Sequence, residues 1–197
     1  MTKGREEILA LLVIFVPSIL LSCKTAEFGA KVIDLNGMVY DFANRPVPQC
    51  EISIRNGFNA ISDINGRFTF PKVPPGTYTL TASRKGYEDY SGEVTVSDRG
   101  QIIYFRLPSQ NQLLDMVDAA LSANDFTLAG ELVERAYRID NNNIEMLFYY
   151  AAVKFRQREY DRAMGFLEAA RVLGSRDTYI ERFMEILRGS QNVETGY

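Results

Sequence analysis

The distribution of proline divides this chain into two parts. All seven prolines of the 197 residues lie at or before position 108, and the 89 residues that follow contain none. Proline disrupts a helix interior, because it has no N–H to donate and its ring clashes with the preceding turn. We therefore expect a multidomain β-then-α chain with a boundary at 108–110 and almost no linker.

The N-terminal region has the pattern of an export signal. A short charged start precedes an apolar run from Ile8 to Leu21. This run has the length of a signal-peptide core and is too short to span a bilayer comfortably. It ends in Leu20-Leu21-Ser22-Cys23, which resembles the lipobox of a bacterial lipoprotein. The resemblance implies cleavage before Cys23 and lipid attachment to that cysteine.

This resemblance predicts the organisation of the N-terminus and the location of the protein. Residues 1–22 would be the signal peptide and 23–34 a lipidated tether on a bacterial membrane, facing the periplasm. Lys24 follows the cysteine. An Asp at this position would signal the inner membrane, so Lys24 favours the outer membrane. The alternatives are a cytoplasmic protein with a buried N-terminal helix, or an uncleaved anchor.

Composition restricts the chemistry that the chain can perform. It contains no histidine and has a formal net charge of −3. Triads built on histidine, histidine-ligated zinc and imidazole acid–base catalysis are therefore excluded, and a nucleic-acid surface is not expected. With Cys23 lipidated, Cys50 is the one remaining thiol, so an intrachain disulfide cannot form. We predict no enzyme activity, no metal site and no cofactor.

The region from Leu35 to Pro108 has the pattern of an antiparallel sandwich. Apolar residues alternate with polar ones, as at Ile52 and Ile54, and turn residues recur about every ten positions. Such spacing is typical of half-buried strands joined by tight turns. Seven strands are predicted at 35–42, 50–55, 58–62, 67–70, 77–85, 89–96 and 101–107.

Six spaced motifs in this region carry a family resemblance. They are Leu35–Asp41, Pro46–Pro48, Cys50–Ile54, Ser62–Phe68, Val73–Leu80 and Lys85–Tyr87. Together they resemble the carboxypeptidase regulatory-like domain, which implies a transthyretin-like β-sandwich at 35–108. Such modules serve as accessory units, spacers or binding units, so the resemblance implies a fold and no activity. Asn44 and Cys50 stand where the family usually has small residues, and Cys50 is expected to fill a core position.

The region after Pro108 is predicted to be helical and repetitive. Ser109 and Gln112 form the capping-box pattern that begins a helix. Small and aromatic residues recur at an offset of 34: Phe126/Tyr160, Ala129/Ala163 and Ala136/Ala170. This period resembles the tetratricopeptide repeat, which implies a short solenoid at 109–188 and a flexible tail at 189–197. Five helices are predicted at 110–123, 126–139, 143–157, 160–173 and 177–188.

The tetratricopeptide resemblance implies a binding surface along the first helix of each repeat. Phe148 and Phe155 are seven residues apart and share a helix face, so they would anchor a peptide, with charged residues beside them. The alternative is that both rings pack against the sandwich or a neighbouring helix. The predicted partner-binding residues are Leu114, Asp118, Leu121, Glu145, Phe148, Ala152, Phe155 and Arg156.

Two further patterns in the sandwich have a structural and a functional interpretation. Asp41, Asp63 and Asn65 suggest part of a calcium loop, but no bidentate Glu follows at the required spacing, so a hairpin turn is favoured. A group of tyrosines could stack on sugar rings, although packing is favoured for Tyr78 and Tyr87. The group comprises Tyr40, Tyr78, Tyr87, Tyr90 and Tyr104.

These observations lead to one expected function and two alternatives. We expect a non-enzymatic, membrane-anchored lipoprotein that acts as a protein–protein interaction scaffold in a bacterial cell-envelope assembly. Its partners would be a protein or peptide and, through the N-terminal lipid, the membrane. The first alternative is a lipoprotein that binds carbohydrate or peptidoglycan through the β-sandwich. A carboxylate-based hydrolase is the weakest reading, since no Asp/Glu pair stands in a catalytic context.

Overall fold

A computed structural model describes residues 32–54, 57–97, 100–174 and 178–194, with the backbone alone at 191–194. The predicted signal peptide, Cys23 and residues 24–31 of the predicted tether lie outside these ranges. No helix within the described ranges is both long and apolar enough to cross a membrane.

The β-region forms two sheets, which we call the sandwich. One sheet has three strands in the order β4-β1-β7 and the other has four in the order β3-β2-β5-β6. The strands are β1 Ile33–Tyr40, β2 Glu51–Ile54, β3 Phe58–Ile61, β4 Arg67–Val73, β5 Gly76–Ser83, β6 Tyr90–Val96 and β7 Ile102–Arg106. β1 thus begins two residues before the predicted start of the sandwich.

The prediction of a wholly antiparallel sandwich is wrong, because β1 and β7 pair in parallel. A tight hairpin forces its two strands to be antiparallel, whereas a longer connection leaves their relative direction free. β6 and β7 lie in different sheets, so the chain crosses between sheets before β7 pairs with β1. The alternation of apolar and polar residues along β7 predicts a strand, but it does not predict whether that strand runs parallel or antiparallel to β1.

The sandwich core consists of the inward residues of both sheets. The Phe68 ring lies 5.6 Å from the Phe70 ring and 5.8 Å from the Phe105 ring, between centroids. Cys50 is fully buried, and its Sγ lies 3.5 Å from the carbonyl oxygen of Ser83. Burial raises the pKa of the Cys50 thiol to about 11, so the thiol is protonated at neutral pH. The prediction that Cys50 fills a core position is confirmed.

The aspartates of the calcium alternative stabilise turns instead. Asp63 Oδ1 accepts hydrogen bonds from the N–H groups of Asn65 and Arg67, both at 2.8 Å. Gly66 follows with φ 74°, and a Cβ there would lie 2.4 Å from the carbonyl oxygen of Val39. The interpretation of this segment as a tight turn is therefore confirmed, but the turn is not a hairpin, because the strands that it joins, β3 and β4, lie in different sheets.

Asp41 closes a second turn from inside the protein. Its carboxylate accepts hydrogen bonds from the backbone N–H of Ala43 and Arg45, both at 2.8 Å, and from Arg45 Nε at 2.7 Å. Burial alone would raise the pKa of Asp41, but these hydrogen bonds outweigh it and hold the pKa below its usual value. Asn44 takes the left-handed conformation with φ 58°, as expected for the residue that replaces a turn glycine.

Five helices follow the sandwich and form the helical module. They are α1 Gln110–Ser122, α2 Phe126–Ile139, α3 Ile144–Arg156, α4 Tyr160–Val172 and α5 Thr178–Glu194. Ser109 and Gln112 form the predicted capping box. The N-cap of α3 is Asn143, whose side-chain oxygen accepts a hydrogen bond from the Met146 N–H.

The prediction of a flexible tail from residue 189 is wrong as far as Glu194, since α5 continues to that residue. The hydroxyl of Ser190 donates to the carbonyl oxygen of Ile186 at 3.0 Å. This carbonyl lies inside the helix, so the hydroxyl adds a hydrogen bond of the back-bonding kind that Ser commonly makes in helices.

The two helical hairpins, α1–α2 and α3–α4, have the same turn geometry. Asn124 and Arg158, 34 residues apart, are both left-handed, with φ 59° and 64°. The residue after each donates its N–H to the carbonyl oxygen five positions earlier, at 2.9 Å in both hairpins. The alanines at corresponding positions are fully buried: Ala129, Ala136, Ala163 and Ala170. The 34-residue repeat in the sequence is thus a repeat in the structure.

The sandwich and the helical module are joined by direct contacts around the β5–β6 connection. Arg135 of α2 forms a double hydrogen bond with the Glu88 carboxylate, at 2.8 and 2.7 Å. Gln110 donates its N–H to the carbonyl oxygen of Gly86 at 3.0 Å. The predicted absence of a linker therefore places the first helix directly against the sandwich.

Candidate functional site

Aromatic side chains gather on one side of the helical module. The rings of Phe148 and Phe155, on α3, lie 5.7 and 5.5 Å from the ring of Phe183 on α5, between centroids. Tyr149 lies next to Phe148 with a ring distance of 6.4 Å. All four side chains are half-buried. We call Phe148, Tyr149, Phe155 and Phe183 the aromatic surface.

These contacts agree with the packing alternative for Phe148 and Phe155, in which a neighbouring helix covers part of both rings. Phe155 also lies against the ring of Tyr160 at the start of α4, at 5.7 Å. The rings nevertheless retain exposed area, so packing and partner binding are compatible. Partner binding at these residues stays a prediction.

The other apolar residues of the predicted site have different environments. Leu114 is only 2% exposed and belongs to the core of the helical module. Leu121 is partly buried against that core, and Ala152 is partly buried. Leu114 therefore cannot contact a partner directly, because side chains of its own module cover it.

Acidic residues lie beside the aromatic surface. Asp118 and Glu145, both predicted, are exposed on α1 and α3, and Asp115 is exposed one turn before Asp118. Burial, followed by the charges of Asp118, Glu145 and Asp115, raises the pKa of Tyr149 above its usual value. Three carboxylates thus act on one tyrosine hydroxyl.

Sequence reasoning missed Tyr149, Asp115 and Phe183. Tyr149 follows Glu145 by four residues and therefore shares its helix face, which was an available signal. Phe183 had no such signal, since its contact with α3 depends on how α5 packs.

Arg156 is separated from the aromatic surface. Its guanidinium lies 5.2 Å from the centre of the Phe126 ring, at the start of α2. Such a contact is a cation–π interaction, favourable by about 0.5–1 kcal/mol at exposed sites. Phe155 contacts the following helices and Arg156 the preceding one, so these sequence neighbours do not form one recognition site with the acids.

The tyrosines of the sandwich fall into two groups. Tyr78, Tyr87 and Tyr90 are partly buried against the sandwich core. Tyr104, by contrast, is 62% exposed and lines a concavity of about 500 Å³ together with Tyr40. Asn44 and Arg106 contribute polar groups to the same concavity. Packing is thus confirmed for Tyr78 and Tyr87.

Comparisons with known proteins give a family for the sandwich alone. The family model of the carboxypeptidase regulatory-like domain matches residues 34–106. No curated protein sequence matches the chain.

Several solved structures are similar to part of the chain. A mutant type II cohesin–X-dockerin complex from Acetivibrio cellulolyticus has 17% identity over 41% of this chain and 60% of that chain, with TM-score 0.35. 3-Chlorocatechol 1,2-dioxygenase from Rhodococcus opacus has 12% identity over 41% and 61%, with TM-score 0.34. The C-terminal domain of the Caf1A usher has 14% identity over 39% and 97%, with TM-score 0.30.

This chain spans about three fifths of the first two of these structures. What the comparisons identify is the kind of domain that the sandwich represents: residues 34–106 are a carboxypeptidase regulatory-like domain.

Proposed function

We propose that this chain is a non-enzymatic lipoprotein that acts as a protein-binding scaffold in a bacterial cell envelope. Cys23 would carry the lipid, and the sandwich would hold the helical module away from the membrane, with the outer membrane as the favoured location. The two helical hairpins would be of tetratricopeptide type and would bind the partner through the aromatic surface. Their shared turn geometry at a 34-residue offset supports this assignment.

The observation that carries the proposal is the combination of half-buried rings and acids on one face. Phe148 and Phe183 offer exposed ring area on which an apolar side chain can pack, while Asp118 and Glu145 offer negative charge beside it. Aromatic anchors surrounded by charge are typical of peptide-recognition sites. The occupant would therefore be a partner segment with an apolar side chain next to lysine or arginine.

A defined peptide tests this recognition. The probe is a labelled peptide with a central Phe flanked by Lys, and its counterpart carries Glu in place of Lys. We expect the full-length protein in detergent to bind the Lys peptide and not the Glu peptide, as measured by fluorescence anisotropy. The Asp118→Asn/Glu145→Gln variant should weaken binding about fivefold to tenfold, because each exposed charge pair contributes at most about 1 kcal/mol.

The matched control is the Glu131→Gln/Glu168→Gln variant, which removes two exposed carboxylates from α2 and α4. This variant should bind the Lys peptide like the unaltered protein. Equal binding of the Lys and Glu peptides, or equal weakening by both double variants, would contradict recognition at the aromatic surface.

The lipid anchor is tested separately in cells. Cys23→Ala should abolish labelling by an alkyne fatty acid and release the protein from the membrane fraction, since no other residue is proposed to carry lipid. Cys50→Ala is the matched control and should remain labelled, because the Cys50 side chain is buried. Labelling that persists in Cys23→Ala would refute the lipoprotein assignment.

The second candidate function, glycan binding by the sandwich, is supported by one observation. Tyr104 and Tyr40 line the same concavity with Arg106 and Asn44, a combination of aromatic and polar groups that suits a sugar ring. Retention on insoluble peptidoglycan should then fall strongly in Tyr104→Ala and remain unchanged in Tyr78→Phe, whose ring packs against the core. No retention of the unaltered protein would exclude this function.

A further inference from the structure

A cavity lies where the sandwich meets the helical module. It measures about 1030 Å³ and is bounded by the β5–β6 connection, the start of β2 and the end of α2. Sites for small ligands commonly have volumes of about 300–1,000 Å³ and form between structural units. We call this cavity the junction cleft. Neither the aromatic surface nor the Tyr104 concavity belongs to it.

Two charged residues that line the cleft are already engaged within the protein. Glu88 is neutralised by its double hydrogen bond with Arg135. Arg84 donates a hydrogen bond to the carbonyl oxygen of Pro48. The Glu88–Arg135 pair is electrically balanced, whereas Arg84 keeps its positive charge, because a hydrogen bond to a neutral carbonyl does not compensate it.

The sheet end of the cleft carries two carboxylates beside the single cation of Arg84, so its net charge is negative. Glu51 of β2 lies opposite Ser83 of β5 in the strand register. On the other side of β5, Ala82 pairs with Tyr90 of the antiparallel strand β6. Asp89 precedes Tyr90 and Ser83 follows Ala82, so Asp89 lies beside Ser83. Glu51 and Asp89 are both exposed, and both line the cleft. Two carboxylates therefore flank one serine.

The helical end of the cleft is basic. Arg138 follows Arg135 by three residues on α2, so it lies on the face that meets Glu88, and its charge contributes to the lowered pKa of Glu88 after the hydrogen bond from Arg135. Lys85 stands beside Gly86, whose carbonyl oxygen accepts from the first residue of α1. Both cations are exposed and line the cleft.

We propose that the junction cleft binds a short peptide with free termini, its ammonium at Glu51 and Asp89 and its carboxylate at Lys85 and Arg138. None of these four charges forms a salt bridge within the described ranges. A ligand with a single charge would leave one end of the cleft unmatched, whereas a zwitterion matches both. An extended tripeptide spans about 10 Å, which is compatible with a cavity of this size.

The test uses trialanine and two blocked forms, N-acetyl-trialanine and trialanine amide. Binding to the full-length protein in detergent is measured by isothermal titration calorimetry, with dialanine and tetra-alanine as a length series. We expect trialanine to bind and each blocked form to bind at least tenfold more weakly. Because this comparison uses the unaltered protein, it does not depend on any variant folding.

Charge-removing variants assign the two ends of the cleft. Glu51→Gln/Asp89→Asn should weaken trialanine binding about tenfold and leave the acetylated form unaffected. Lys85→Met/Arg138→Met should do the same for trialanine while leaving the amide unaffected. Glu93→Gln on β6 and Arg106→Gln on β7 are matched controls outside the cleft and should bind trialanine normally.

Several results would overturn the proposal. These are the absence of trialanine binding at millimolar concentration, equal binding of free and blocked peptides, or equal losses in cleft and control variants. The proposal does not rest on the scaffold function. Variants of the aromatic surface should leave trialanine binding unchanged, so failure of either proposal is distinguishable from failure of the other.

Discussion

The phenylalanine cluster of the sandwich and the aromatic surface of the helical module differ in how far they are covered. In the sandwich, Phe70 is fully buried and Phe68 nearly so, between two sheets that cover both sides of the core. In the helical module, Phe148 and Phe183 remain half-buried. Two facing sheets enclose their core, whereas helical hairpins stacked in one direction leave the sides of the stack open to solvent. An open side is available for recognition, and a closed core is available only for stability.

Buried polar contacts also join the first three helices of the helical module to one another. The Gln110 side chain is buried, donates to the carbonyl oxygens of Ala136 and Asp140 at 3.0 and 2.7 Å, and accepts from Asn143 at 3.0 Å. Hydrogen bonds are directional, so such contacts set the orientation of α1 relative to α2 and α3.

The largest expected effect tests the contrast between closed and open aromatic clusters. Phe70→Ala should lower the free energy of unfolding by about 3–5 kcal/mol, because it leaves a cavity in a core that cannot collapse easily. Phe183→Ala should cost only about 1–2 kcal/mol, since its ring is partly solvated already. Urea unfolding followed by circular dichroism measures both. Equal losses of unfolding free energy would show that the aromatic surface is as fully covered as the sandwich core.

The next effect concerns the buried polar contacts of Gln110. Gln110→Ala should lower the free energy of unfolding by about 2–3 kcal/mol, because buried backbone carbonyls lose their donor. Asn111→Ala is the control at the neighbouring exposed position and should change it by less than about 0.5 kcal/mol. Similar small changes in both variants, measured by the same urea titration, would argue that water replaces the Gln110 side chain.

A smaller, pH-dependent effect is expected from the ion pair between the modules. The hydrogen bond from Arg135 lowers the pKa of Glu88 in the folded protein. The stabilisation is therefore present in full above the ordinary glutamate pKa, near 4.3, and is lost as the pH falls through the lowered folded value. Because both side chains are about one third exposed, it should amount to about 1 kcal/mol.

The measurement is the difference in unfolding free energy between the unaltered protein and Glu88→Gln. It should be about 1 kcal/mol at pH 7 and shrink toward zero in acid. Asp41 contributes equally to both proteins, so its titration cancels. A difference that grows as the pH falls would reverse the sign expected for a lowered pKa.

The smallest stability effect is expected at the acidic edge of the aromatic surface. Asp118→Asn should change the free energy of unfolding by no more than about 0.5 kcal/mol, since its side chain is exposed. It should nevertheless lower the pKa of Tyr149, because one of the negative charges that disfavour the tyrosinate is removed. Ultraviolet titration of tyrosine ionisation, with Tyr149→Phe to assign the signal, checks this. An unchanged pKa of Tyr149 would show that the charge of Asp118 does not act on the aromatic surface.

Local features of the fold were predictable from the sequence because few residues decide them. The Ser109–Gln112 capping box, the Asp63–Gly66 turn and the buried alanines at a 34-residue offset depend on neighbours along the chain. The burial of Leu114 was not predictable in the same way. Periodicity tells which residues share a helix face, and only the packed neighbours tell whether that face is covered.

The sequence by itself determined the order of the modules, the position of their boundary and the family of the sandwich. It did so because proline, turn residues and hydrophobic spacing act on the backbone locally. The tertiary structure alone decided the parallel pairing of β1 with β7, the contacts of Phe183 and the meeting of Glu51 with Arg138 in one cleft. These depend on contacts between residues far apart in the chain, and local preferences do not specify which distant segments meet.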